Sequence, residues 1–136
     1  MDMKPYLFFN GTARDAVTMY ADIFGVPIPE FMTMKDAPFD MGLPPERDNW
    51  IMHCEMKVGT SGIYLSDDFM ANSPAMDGAS VMVNLETAEQ GKRIFDALSD
   101  GGEVRMKWEP TFWSAGFGTL TDKFGIRWMV GTDEVP

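Results

Sequence analysis

The chain carries one pattern twice. Residues 5–10, PYLFFN, open as a strand, and Thr12-Ala13 then starts a stripe of Ala13, Ala16, Val17, Tyr20, Ile23 and Phe24 at helical spacing. Seventy-odd residues later the strand of residues 79–85 leads into Thr87-Ala88 and a second stripe, Ala88, Gly91, Ile94, Phe95 and Leu98. Thr12 stands three before Asp15, and Thr87 three before Gln90, the spacing of a capping box. Gly25 with Pro27 ends the first helix, predicted over 12–24, and Gly101-Gly102 ends the second. Further matches join Tyr20 to Phe95, Ile23 to Leu98, and Gly62-Ile63 to Gly125-Ile126, and lay Pro5–Phe9 over Ser80–Asn84.

After each helix come three strand signals. In the first half they are residues 28–34, which read weakly, the alternating run 50–58, and 63–66 beyond a turn at Gly59–Gly62. In the second they are 103–109, 117–121 and 126–130. Residues 35–49, with three prolines and a glycine, make a long loop of the kind often used as a flap. Each half thus reads βαβββ, and a half this size cannot bury its sheet alone. The expected fold is α+β: one domain over 1–136, built of modules 1–68 and 79–136 joined by a linker at 69–78, with curved mixed sheets around a cavity.

The composition narrows the partners. A 136-residue chain with 45% apolar residues suffices for a core without staples. A net charge of −10 speaks against nucleic acid and against an anionic membrane surface, both of which call for clustered Lys and Arg. The lone Cys54 allows no internal disulfide and no thiolate zinc site. With no apolar run of secretory or transmembrane length, a cytoplasmic location is expected. The 13 methionines read first as a soft core, and second as the wall of an adaptable apolar pocket.

Strand alternation sorts the faces. Tyr6, Phe8, Ile63, Leu65, Val81, Val83, Leu85, Ile126, Trp128 and Val130 are assigned to the core. The opposite face then carries Leu7, Phe9, Tyr64, Ser66, Met82, Asn84, Arg127 and Met129, mostly apolar walls with a few polar groups, as suits a ligand pocket. On the strand at 50–58, His53 and Glu55 share a face, and as imidazole and carboxylate are the candidates for general acid–base chemistry. The competing reading gives His53 a cross-sheet hydrogen bond and Glu55 a solvated surface. Cys54 falls on the apolar side, as an inert core thiol. Arg127 either clamps a carboxylate or phosphate, or pairs with Asp122, Glu55 or a partner subunit. Trp108, Phe112, Trp113 and Phe117 read as core or interface before they read as a stacking platform.

The segments PYLFFNGTARDAVTMYADIFG, WIMHCEMKVGTSGIYLSD and FGTLTDKFGIRWMVG resemble the PhnB-like branch of the vicinal-oxygen-chelate superfamily, which includes glyoxalase I, bleomycin-resistance proteins and extradiol dioxygenases. The likeness spans nearly the whole chain, and D-x-F-G-x-R-W-M at Asp122–Met129 is its most specific motif. The resemblance implies paired βαβββ modules and a homodimer. It also implies metal-ligand positions on the first and last strand of each half, which fall here on Pro5, Ser66, Ser80 and Met129; a one-residue shift brings in Tyr6 and Val81. None is a good ligand for a divalent ion, so no metal or other cofactor is expected. Some members of the branch carry the label 3-demethylubiquinone-9 3-methyltransferase, yet the sequence has no Gly-rich strand-to-helix turn for a nucleotide-like cofactor. The leading expectation is a homodimer that binds a small apolar or aromatic molecule. The alternatives are an enzyme using His53 with Glu55 or Arg127, with or without an atypical metal, and a structural or regulatory dimer.

Overall fold

In the computed structural model, which describes all 136 residues, β1 (Tyr6–Phe9) runs parallel to β4 (Ser61–Asp67), with Leu7 beside Leu65 and Phe8 beside Ser66. β3 (Ile51–Val58) turns into β4 through Gly59-Thr60 alone, and Gly59 takes φ +58°, which a side chain would strain. The two-residue β2 (Met32–Thr33) borders β3, giving the order β1-β4-β3-β2. The long loop that follows β2 contains two single 3₁₀ turns, 34–36 and 45–47.

The second half repeats the plan. β5 (Val81–Leu85) is parallel to β8 (Arg127–Thr132), β8 is antiparallel to β7 (Phe117–Thr121), and β6 (Glu103–Glu109) forms the edge, in the order β5-β8-β7-β6. The chain divides into two compact units, Met1–Pro74 and Ala75–Pro136. No helix is long and apolar enough to cross a membrane.

In the first unit α1 (Ala13–Phe24) packs its Ala13, Ala16, Val17 and Tyr20 side on β3 and β4. The sheet answers with Leu7, Phe9, Cys54, Met56, Ile63 and Leu65, all buried. In the second unit α2 (Ala88–Ser99) sets Ile94, Phe95 and Leu98 against Leu120, Trp128 and Val130. Each unit therefore has a closed sheet face under its helix and an open face on the other side.

Four expectations change. First, Leu7 and Phe9 are the core residues of β1, at 2% and 3% exposure, while Tyr6 and Phe8 lie on the open face. Phe9 therefore leaves the set of expected ligand-contacting residues. Three residues join β1 to α1, but only two join β5 to α2. An alignment anchored on the helices is thus one residue out on the strands.

Second, Thr12 makes no side-chain cap for α1. Buried Asp67 from β4 does it instead: one carboxylate oxygen accepts from the Gly11 and Ala13 N–H groups at 2.8 and 3.0 Å. Its other oxygen accepts from the Ile51 N–H at 2.9 Å, so one side chain ties helix, sheet and strand entry together. Thr87 and Gln90 do form the reciprocal box on α2.

Third, the methionines are not core filler, since only Met34 and Met56 are buried, whereas Met32, Met82 and Met106 are exposed. Fourth, the aromatic cluster of the second half divides. Trp108 is wedged over α2 beside Phe95, ring centroids 5.7 Å apart, in space that Gly91 and Gly116 leave by lacking a Cβ. Phe112 and Trp113 instead project from the loop between β6 and β7.

Candidate functional site

The open face of the first sheet follows from its register. Tyr6 lies beside Tyr64, and Tyr64 beside Glu55, so these three side chains leave the sheet on one side, and Phe8, Ser66 and His53 leave it with them. Four rings gather there. Tyr6 stacks on Phe8 with centroids 4.9 Å apart, His53 lies 5.1 Å from Tyr64, and Tyr6 is 5.7 Å from each of these two. Such offset and tilted pairs suit the ring quadrupoles and make a firm apolar floor. Tyr6 and Phe8 remain 39% and 54% exposed, so the floor is open to a visitor.

Polar groups border the rings. The Tyr6 hydroxyl and His53 Nδ1 share a hydrogen bond of 2.9 Å. Lys4 reaches over the Tyr64 ring, 5.1 Å from its centroid, and its ammonium donates to Glu55 Oε2 in a close ion pair. That hydrogen bond holds the Glu55 carboxyl below its ordinary 4.5 and raises the Lys4 ammonium above its ordinary 10.5. His53 and Glu55 share the face as expected, but each has its own partner: His53 bonds Tyr6, and Glu55 bonds Lys4. The sequence reading missed Lys4, because it precedes β1 and reaches Glu55 only through the parallel β1–β4 pairing. Cys54 points the other way into the core, where burial pushes its thiol up to about 11, so it stays protonated at neutral pH.

The open face of the second sheet is Met-rich. Met82 sits beside Met129, Met129 beside Thr119, and Asn84 beside Gly131, next to Phe117. The space over Gly131 is filled by its neighbours: a Cβ there would lie 3.0 Å from Met82 Cε and 3.4 Å from Asn84 Oδ1. The Asn84 amide donates to Asp133, and Phe117 meets Trp113 edge-on at 5.7 Å. Arg127 pairs with Asp77 at 3.3 Å, rather than with Asp122. Asp122 instead accepts from the Phe124 and Ile126 N–H groups and from Trp128 Nε1, which fixes the turn of the D-x-F-G motif.

The implied metal positions can be tested on their donors. Pro5 offers only a carbonyl, which already accepts from the Tyr64 N–H at 3.0 Å. Ser66 is a buried hydroxyl and Met129 a thioether, while Ser80 is the one remaining oxygen donor. A divalent ion needs carboxylate or imidazole ligands, and this set does not fit one. Nowhere else do three or more His, Cys, Asp or Glu side chains converge.

Comparison with known proteins places these features in a family. Residues 1–131 match the family model described as 3-demethylubiquinone-9 3-methyltransferase. This chain belongs to that family. It is the PhnB-like branch whose motifs the sequence resembles. Protein YjdN of Escherichia coli K12 is 32% identical over 141 residues, covering 96% of this chain and 94% of the relative. The crystal structure of PA1353 from Pseudomonas aeruginosa is similar at 34% identity and TM-score 0.88, with 98% of each chain covered. The PhnB protein from Bacillus cereus follows at 22% identity and TM-score 0.77, covering 97% of this chain and 99% of its own. The fold is that of the glyoxalase/bleomycin-resistance group: a Burkholderia phytofirmans glyoxalase/bleomycin resistance protein/dioxygenase family enzyme shares it at TM-score 0.59 and 12% identity, with 93% and 94% of the chains covered.

Proposed function

We propose that this PhnB-like protein binds a small apolar or aromatic molecule on the open faces of its sheets, without the divalent metal of the wider superfamily. The observation that carries this reading is the four-ring floor of Tyr6, Phe8, His53 and Tyr64. It is aromatic and part-exposed, and its border offers a cation, a carboxylate and a phenol to orient a guest. The poor donor set at Pro5, Ser66, Ser80 and Met129 favours binding over metal-assisted chemistry. So does the Lys4–Glu55 pair, which leaves His53 without the carboxylate partner that a general base of this design would use.

A homodimer goes with this reading, because half-exposed rings and methionines on both open faces form the kind of surface that partners cover. Light scattering on the purified protein measures it, and a mass near 30 kDa is expected, twice the 15.2 kDa chain. The binding claim is tested by thermal shift with a panel of planar aromatic and aliphatic compounds. Binding at tenfold above Kd stabilises the folded state by about 1.4 kcal/mol, enough to read. Phe8→Ala and Tyr64→Ala should abolish the shift for the aromatic members. A panel that moves neither the wild-type protein nor any variant contradicts the reading.

A further inference from the structure

Arg127 carries a buried donor without an acceptor on the open face of the second sheet. Its Nε is buried with no hydrogen-bond partner, the only such side-chain atom in the molecule. Its Nη1 donates to a single acceptor, Asp77, at 3.3 Å, a long bond to a side chain that is itself 96% exposed. A guanidinium presents a planar fork suited to two parallel bonds from one carboxylate, and Asp77 uses only one prong. A buried donor on a charged group left unbonded is costly, and in native proteins it calls for an explanation.

The surroundings supply one. Thr121 lies directly across the β7–β8 ladder from Arg127, with its hydroxyl on the same face. Two residues along, Met129 lies between Met82 and Thr119, and two further on comes Gly131, over which the ends of Met82 and Asn84 lie. A cationic fork with a hydroxyl beside it thus stands at one end of an apolar, methionine-lined track. The track runs four residues of strand, about 13 Å.

We propose that Arg127, with Thr121, is the anchor for the carboxylate of an amphipathic monoacid whose apolar body lies over Met129 and Met82 toward Gly131. Asp77 is the internal stand-in: its carboxylate holds the guanidinium until the ligand's carboxylate displaces it. This rests on the binding function proposed above and gives it a ligand class.

Decanoate and decanol share a chain and differ in charge, so calorimetric titration of the full-length protein with each separates the two claims. Decanoate is expected to bind at least tenfold tighter than decanol. Arg127→Gln should remove that preference, bringing decanoate to the level of decanol. Arg127→Lys, which keeps the charge but loses the fork, should restore only part of it. Asp77→Ala should tighten decanoate several-fold, an effect that a purely structural Arg127–Asp77 bridge does not produce. Gly131→Val should weaken both ligands by pushing Met82 out of its place in the track. Equal binding of the two ligands overturns the anchor and spares apolar binding. Absence of binding by either, or weaker decanoate binding in Asp77→Ala, overturns the anchor as well.

Discussion

Single residues carry more of this fold than their number suggests. Asp67 answers three backbone N–H groups from two separate segments, two of them in buried settings. Asp67→Ala leaves those donors unpaired, and a loss on the order of 3 kcal/mol in urea unfolding is expected. Gly116 is kept small by packing, because the Trp108 ring occupies the volume of its missing Cβ. Gly116→Ala should therefore destabilise by roughly 1–3 kcal/mol, the cost of overpacking, where a surface glycine replaced by alanine would gain. The Lys4–Glu55 pair sets a pH window. Glu55 has a lowered folded-state pKa, so its contribution is present above about 4.5 and is lost as pH falls through the folded value. Lys4 has a raised one, so its contribution is present below about 10.5 and is lost as pH rises beyond its folded value. Melting temperatures of wild type and Glu55→Gln should differ between these limits, with wild type higher, and converge below them in acid. Of these features the sequence disclosed little. Asp67 falls just beyond the strand read at 63–66, and nothing local says that it caps a helix begun 54 residues earlier.

At the scale of elements the sequence is more legible, wherever a pattern has contrast. Both helices lie within a residue or two of their predicted spans, because apolar spacing and the glycines that follow each helix agree. β3 and β4 alternate visibly, and their core face is as read for Cys54, Met56, Ile63 and Leu65. β1 failed in face and not in existence: YLFF is apolar throughout, so alternation has nothing to grip, and the choice fell to an alignment one residue out. β6 alternates in sequence, yet six of its seven residues are exposed, since it is an edge strand with two register shifts. The two helix starts give a paired test. Thr87 accepts from the Gln90 N–H at 3.2 Å, so Thr87→Ala should cost about 1 kcal/mol. Thr12 caps nothing with its side chain, so Thr12→Ala should lie within about 0.5 kcal/mol of wild type. Equal losses at both sites would show that the capping role given to Asp67 is wrong.

For the molecule as a whole, duplication is the governing fact. Two sheets of identical strand order arise from halves that share few identical residues, because the helix stops, turn glycines and strand–helix spacing recur. The open faces then diverge: rings and a Lys–Glu pair on the first, methionines and a half-used arginine on the second. Of the residues read as lining a site, Tyr64, Met82, Asn84, Arg127 and Met129 lie on the open side of their sheets, whereas Ser66 on that side of β4 is buried and Phe9 lies in the core. Their partners were not visible, because Lys4 and Asp77 lie outside the regular elements, where periodicity is silent. The central claim is that these faces bind an apolar guest without a metal. The most direct measurement is thermal unfolding of the protein against the aromatic and aliphatic panel, before and after exhaustive chelation. The account predicts stabilisation by at least one compound, equal in the two preparations. Stabilisation that disappears on chelation and returns with a divalent ion would contradict it.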